Sequence, residues 1–363
     1  MLRFPLFSFT SIFFHLIGSG GAAVPDSLSF IRTHLGFGVP LFFVVSGFSL
    51  AYGYFGRLHS EQELSTYFVR RFARIAPLFY AVLVFQLFNV WLEDGVTFSP
   101  IDIGLNALFV FNLVPHLAEG IVPASWTIGV EMLFYAVFPL SLLACRSLLR
   151  TVLVLLVAIA LGTSTIIDLR PFESQQPGFV YHNVVSQLPY FLWGVLVFHV
   201  LRSAGGRVPL HMKRIACWII CGAGLLAMYA LYKSSTIYMF FWGRGLRSTW
   251  DMLWGIPFGL LCLGMALHPS RLISNPVTRY LGKVSFSLYL LHPTVLYKLG
   301  KAGVYQRIYN LIPGHPGVAY GVSFLLSLAI ITSIASLTFG FIEQPGMAWG
   351  KRFAAPRAAP VAT

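Results

Sequence analysis

Charge is what this chain has least of. Only 10% of its 363 residues are Asp, Glu, Lys or Arg, where a soluble globular chain carries about 25%. Acidic residues are the scarcer sign, 12 against 25 Lys and Arg. So little polar surface cannot coat a soluble fold of this length, which excludes a soluble enzyme, a disordered tail and a nucleic-acid module. Cysteine is limited to Cys145, Cys217, Cys221 and Cys262, with no CxxC pair. That excludes a disulfide framework and a zinc pattern, and no metal site is expected. No convincing cleavable signal peptide is read at the start. The apolar segment from Phe4 has one flanking Arg3 and no clean small-x-small cleavage site before the next helix, so it reads as a first membrane helix. The chain opens almost directly on that helix, the pattern of a start that has been clipped or misassigned.

What is present is apolar: 57% of residues are hydrophobic and the mean hydropathy is +0.75. A helix needs about 20 apolar residues to cross the hydrocarbon core. Ten runs qualify, at 4–19, 35–55, 75–92, 124–145, 149–167, 186–201, 215–232, 250–267, 284–300 and 318–341. The stretch 103–114, between Pro100 and Pro115, is shorter and reads as interfacial or re-entrant. With ten crossings and both termini in the cytoplasm, roughly two of every three basic residues face inward, as the positive-inside rule requires. Letting 103–114 cross would send the richer later loops outside. The expected fold is therefore an all-α integral membrane protein, a polytopic bundle of about ten helices in one unit, 1–350. A short cytoplasmic tail follows at 351–363, its Ala/Pro-rich end from Ala354 to Thr363 reading as disordered.

An ionisable residue at bilayer depth costs a few kcal/mol, so each one asks for a reason. Four stand out: His15, Glu131, His292 and Glu343. At a rise of 1.5 Å per residue, His15 lies about 16 Å and His292 about 12 Å from the inner edge of the core. Glu131 lies about 10 Å from the outer edge. Three groups from three helices thus converge near mid-membrane, while Glu343 sits at the inner end of the last run. A structural reading stands beside each. Pro293 removes a backbone donor next to His292, which an imidazole can replace. His199 reads as structural, and Trp126, Trp242 and Trp250 read as interface anchors. Arg70, Arg71 and Arg74 precede the third run and share a helical face. They are read either as a phosphate site or as positive-inside anchoring.

Five motifs in order carry a resemblance. They are GVPLFFVVSGFSL (38–50), RRFARIAPLFY (70–80), SWTIGVEMLFYAVFPL (125–140), VSFSLYLLHP (284–293) and FIEQP (341–345). With ten runs around them, the chain resembles the acyltransferase 3 family of integral-membrane O-acyltransferases over about Arg3 to Gly350. The resemblance implies transfer of an acyl group, often acetyl from acetyl-CoA, to hydroxyls of carbohydrates, glycolipids or small molecules. It implies His15 as the first-helix histidine, Arg71 and Arg74 as the Arg-x-x-Arg pair with Arg70 beside them, and Glu131 as the acidic residue after the tryptophan. Two positions depart from the family pattern. Eleven residues separate Arg3 from His15 where the family has ten, and Pro40 stands where many members carry an acid.

The resulting expectation is an enzyme of the cell membrane, a bacterial cytoplasmic membrane by the resemblance. It has no tightly bound cofactor and uses acyl-CoA as co-substrate. Its partners are a carbohydrate or glycolipid acceptor and the lipid bilayer, with no nucleic acid. His15 is the expected general base, oriented by Glu131 as in a triad. Arg70, Arg71 and Arg74 hold the acyl donor. His292, Glu343 and Ser46 are supporting candidates, with Ser46 and Ser125 as nucleophiles if an acyl-enzyme forms. The rival is a transporter or flippase for a glycan or lipid, since buried ionisable groups also mark substrate paths. A non-catalytic subunit or sensor of a surface-polymer assembly is a third reading.

Overall fold

A computed structural model describes residues 6–20, 35–173, 178–204, 209–244, 247–268 and 275–353. Among them are sixteen α-helices and no strand. Seven helical stretches are long and apolar enough to cross a membrane: α3 (Glu61–Asp94), α5 (Trp126–Ala144), most of α6 (Leu148–Glu173), α7 (Val184–Ala204) and most of α8 (Leu210–Lys233), with Thr249–Leu267 and Pro316–Phe353. Between α8 and these last two lies α9 (Ser235–Gly243). Thr249–Leu267 joins α10 (Arg247–Leu253) to α11 (Gly255–Leu267).

Seven is fewer than the ten runs. The other three carry shorter helices: α1 (Leu6–Gly20, 15 residues), α2 (Gly38–Tyr54, 17 residues) and α13 (Ser285–Lys301, 17 residues). The last ends on Lys298 and Lys301. The stretch 103–114 does not form a spanning helix. Ser99 caps the eight-residue α4 (Pro100–Ala107), which gives way to 3-10 turns at Phe111–Leu113 and Pro115–Leu117.

Helix α3 begins earlier than the apolar run 75–92 suggests. Ser60 and Glu63 form a capping box: the Ser60 hydroxyl accepts from the Glu63 N–H, and the Glu63 carboxylate accepts from the Ser60 N–H. That box starts the helix within a polar segment. Arg70, Arg71 and Arg74 therefore ride on a continuous helix rather than a loop. At 34 residues, α3 is about 51 Å long, well beyond a hydrocarbon core of about 30 Å.

Two apolar clusters organise the bundle. The larger draws on α2, α3, α5, α7 and α11. Its tightest joint is α2 on α7, where a Cβ on Gly47 would lie 2.0 Å from the Phe191 carbonyl oxygen and one on Gly194 2.0 Å from that of Val44. Such reciprocal small residues let two backbones touch without lipid between them. The smaller cluster gathers α1, α13, α14 (Val304–Leu311) and α15 (Pro316–Thr338). Phe13 of α1 packs edge-on against Tyr320, whose hydroxyl donates to the Phe13 carbonyl.

Three further features follow α11 and α15 and bring the chain back to α3. Short α12 (Pro276–Lys283) leads into α13. After α15 the chain makes a π-helical turn, Phe339–Glu343, and continues as α16 (Gln344–Phe353). Gly346 and Gly350 bring α16 onto Pro77 and Ala73 of α3, beside the arginines. Residues 351–353 thus continue a helix, and 354–363 lie outside the described residues.

Candidate active site

Successive helical residues turn by about 100°, so Arg71 stands about 100° from Arg70, with Arg74 between them. Exposure follows that order. Arg70 is exposed, while Arg71 and Arg74 are half-buried. The expected trio therefore separates into an inward-turned pair and one outer cation. Arg71 is caged by aromatics, its guanidinium carbon 5.1 Å from the ring centre of Tyr54, 5.6 Å from Tyr135 and 6.0 Å from Tyr67. Its Nη2 donates to the Tyr54 hydroxyl at 2.9 Å. A charge taken from water needs such partners, and each cation–π contact contributes about 0.5–2 kcal/mol.

The cage leads to Glu131, which is 4% exposed. Its Oε1 accepts from the Ser46 hydroxyl at 3.0 Å and from the Tyr135 hydroxyl. The charges of Arg74 and Arg71 both act on it. Glu343, also buried, accepts from Ser287. The π turn aims it there, and it too feels Arg74. Arg74 is thus within electrostatic reach of both buried carboxylates. Of the candidate nucleophiles, Ser46 has its proton on Glu131, and Ser125 donates to the Glu119 carbonyl at 3.3 Å.

The histidines form a second group. Helix α1 lies along α13, and the rings of His15 and His292 are 5.1 Å apart, tilted by 52°. His15 is half-buried; His292 is fully buried. The sequence pairs His15 with Glu131. In the structure the ring beside His15 is His292, and the groups on Glu131 are Ser46, Tyr135 and the two arginines. Tyr289 lies between the groups. Its ring centre is 5.3 Å from that of His292, and its hydroxyl donates to the Ala124 carbonyl at 3.2 Å, at the start of the helix that carries Glu131. Ala124 has φ +60°, a left-handed conformation that costs a residue with a Cβ about 1–3 kcal/mol and clusters at functional sites.

Other expectations divide. His199 is structural, its Nε2 donating to the Cys145 carbonyl at 2.7 Å. Trp126 and Trp250 are not interface anchors. Both are buried, Trp126 stacked on His182 with Tyr181 and Phe43 beside it, and Trp250 packed edge-on against Trp254 and Tyr238. Pro40 is buried in the first turn of α2. Arg3 and the side chain of Trp242 lie outside the described residues.

The tyrosines escaped the sequence reading. Tyr67 precedes Arg71 by four residues and Tyr135 follows Glu131 by four, a spacing that faces two side chains on one helix. Tyr54 arrives from another helix and has no such signal.

A family model described as an acyltransferase domain, acyltransferase 3, matches residues 6–339. The chain is 24% identical over 370 residues to "Putative peptidoglycan O-acetyltransferase YrhL" of Bacillus subtilis (strain 168), across 91% of this chain and 55% of that protein. It is 25% identical over 276 residues to "Putative acetyltransferase ORF330" of Acidianus two-tailed virus, across 74% and 75%. It is 29% identical over 123 residues to "Acyltransferase MdmB" of Streptomyces mycarofaciens, across 32% and 31%. The chain spans about half the length of the first of these relatives. No solved structure matches it significantly. With nearly its whole described length inside one family model, and with apolar helices suited to a bilayer, this chain is an integral membrane member of the acyltransferase 3 family.

Proposed function

We propose that the chain is a membrane O-acyltransferase. It moves an acyl group, acetyl in the first instance, from cytoplasmic acyl-CoA to a hydroxyl of a carbohydrate or glycolipid acceptor. The observation that carries this reading is the placement of two unlike polar groups in one family-matched bundle. A half-buried imidazole, His15, stands on α1, and a guanidinium pair, Arg71 and Arg74, stands on α3. A peptidoglycan-type glycan is the first acceptor to try, on the name of the Bacillus relative.

The roles follow from the chemistry. Arg74, with Arg70 outside it, offers charge-assisted hydrogen bonds to the phosphates of CoA. Arg71 and Glu131 hold that array in place through the tyrosine cage. The His15 imidazole takes the proton of the acceptor hydroxyl as its oxygen adds to the thioester carbonyl. The tetrahedral adduct collapses, the C–S bond breaks, and CoA thiolate leaves with the proton from His15. The product is the acyl ester of the acceptor. In this reading the acceptor hydroxyl attacks the thioester directly; Ser46, which donates to Glu131, and Ser125, which donates to the Glu119 carbonyl, are the positions at which a covalent acyl group would be sought as the alternative.

We further infer ten crossings in one unit, 1–350, with both termini and the tail 351–363 in the cytoplasm, in a bacterial cytoplasmic membrane. Single cysteines placed in alternate loops and labelled from outside would expose a wrong count.

The decisive assay is transfer from labelled acetyl-CoA to a glycan extract in membrane vesicles, wild type beside His15→Ala at matched expression. Label in glycan with the wild type alone supports the reading. Equal label in both removes His15 as base. Acceptor movement without acyl-CoA consumption turns the assignment to a transporter or flippase.

A further inference from the structure

Pro293 has no backbone N–H, so the carbonyl of Tyr289, four residues earlier, loses its helical donor. The His292 ring replaces it: Nδ1 lies against the Tyr289 carbonyl. A carbonyl only accepts, so Nδ1 carries the proton and Nε2 of the neutral ring is a bare lone pair. That Nε2 is buried and has no hydrogen-bond partner among the described residues. An unmatched acceptor in a dry interior is costly, and in a native protein it asks for an explanation. The adjacent ring, 5.1 Å away centre to centre, is His15.

We infer that His292 is the positioning residue for His15: the two rings stand adjacent but unbonded, and a turn of the His15 ring lets His292 Nε2 accept the His15 N–H, leaving the other His15 nitrogen bare toward the acceptor hydroxyl. This rests on the acyl-transfer reading above and deepens it. In a serine-hydrolase triad a carboxylate fixes the tautomer of the base and steadies its imidazolium. Here a neutral imidazole does both, and its own tautomer is fixed by a proline. A neutral partner leaves His15 free to lose the proton again, as it must when CoA thiolate departs. A carboxylate would favour the imidazolium more strongly and also add a buried charge. The line of hydrogen bonds runs from the Tyr289 carbonyl through both rings to the substrate. Glu131 is left to the arginines.

Two substitutions separate positioning from simple helix support. His292→Asn keeps a donor near the Nδ1 position, for the Tyr289 carbonyl, but has nothing at the Nε2 position. His292→Gln reaches the Nε2 position with an acceptor and gives up the carbonyl bond. Both are made in the full chain in nanodiscs and assayed with labelled acetyl-CoA and glycan extract. Thermal midpoints and ¹⁵N-histidine spectra are recorded alongside, the His15 signal being assigned by its loss in His15→Ala. Positioning predicts that Asn lowers kcat about 100-fold, within the range for general-base catalysis, with KM for acyl-CoA unchanged. Gln should recover most of that loss despite a lower thermal midpoint. The His15 spectrum should show one defined tautomer in wild type and Gln, and a mixture in Asn. The inference is overturned if Asn keeps wild-type kcat, or if activity follows thermal stability across the two variants. If the wild type transfers no acetyl group, the acyl-transfer reading fails by itself. The spectra still decide the pairing, and a His15 tautomer unmoved by His292→Asn overturns it.

Discussion

The two halves of the bundle bury different polar groups. In the α2/α3/α5 half, charge is wired to hydroxyls: Ser46 and Tyr135 donate to Glu131, and Tyr54 accepts from Arg71. In the α1/α13 half, an imidazole nitrogen of His292 is buried with its lone pair open. Arg71 Nε, also buried, has no hydrogen-bond partner among the described residues, so that guanidinium is held by the Tyr54 hydroxyl and three aromatic rings rather than by a closed network. An unpartnered acceptor beside a second imidazole is a place where that ring's N–H can be held. On the proposed reading the first half is the binding frame and the second the reacting centre, and Tyr289 touches both.

The sharpest test of that division is His15→Ala. Loss of a general base should cost about 10²–10⁴ in kcat, with membrane insertion and KM for acyl-CoA intact. A matching loss of donor affinity would merge the two halves into one site. Arg74→Ala should do the reverse. Removing charge-assisted hydrogen bonds of about 1.5–3 kcal/mol raises KM for acyl-CoA roughly 10- to 100-fold, and kcat should change little. Steady-state titration of acyl-CoA reads both numbers, and a pure kcat defect would take Arg74 out of the binding frame.

Gly194→Ala probes the frame without touching its charges. A methyl driven against the Val44 carbonyl should destabilise by about 1–3 kcal/mol or more, seen as a lower thermal midpoint in detergent. An unchanged midpoint would mean that α2 and α7 do not press together as described. The smallest effect is expected far from both halves. Asp102 lies in the first turn of α4, its carboxyl held below the usual range, first by the hydrogen bond from His116 and then by those from Ser99. Its contribution is complete above the ordinary Asp value of about 3.9 and fades as pH falls through the depressed one. Limited proteolysis around 99–118 should be flat from pH 7 to 5 and rise only in stronger acid. A rise between pH 7 and 5 would point to a different group.

Apolar composition made the helical membrane fold legible, and the motifs made the family legible. Depth arithmetic brought His15 and His292 to similar levels, since both sit in single regular helices where rise per residue is dependable. The same arithmetic could not say which neighbour faces which. Helix rotation is set by packing, so the pairing of His15 with His292 rather than Glu131 had no linear signal. The Arg71 cage was half visible, in the four-residue spacings of Tyr67 and Tyr135. The early start of α3 was written in Ser60 and Glu63, but polarity outweighed the capping pattern. Trp126 and Trp250 misled because aromatic belts and aromatic cores share a composition.

The π turn at Phe339–Glu343 makes residue count itself a carrier of geometry. Such a turn is an α-helix holding one residue more than its ladder accommodates. Deleting any one residue of 339–343 would let the ladder close and rotate everything beyond by about 100°. Glu343 would swing from Ser287, and Gly346 and Gly350 would no longer meet Pro77 and Ala73. A relative that aligns here with a one-residue gap should therefore be read as packing its last helix differently, however similar its letters.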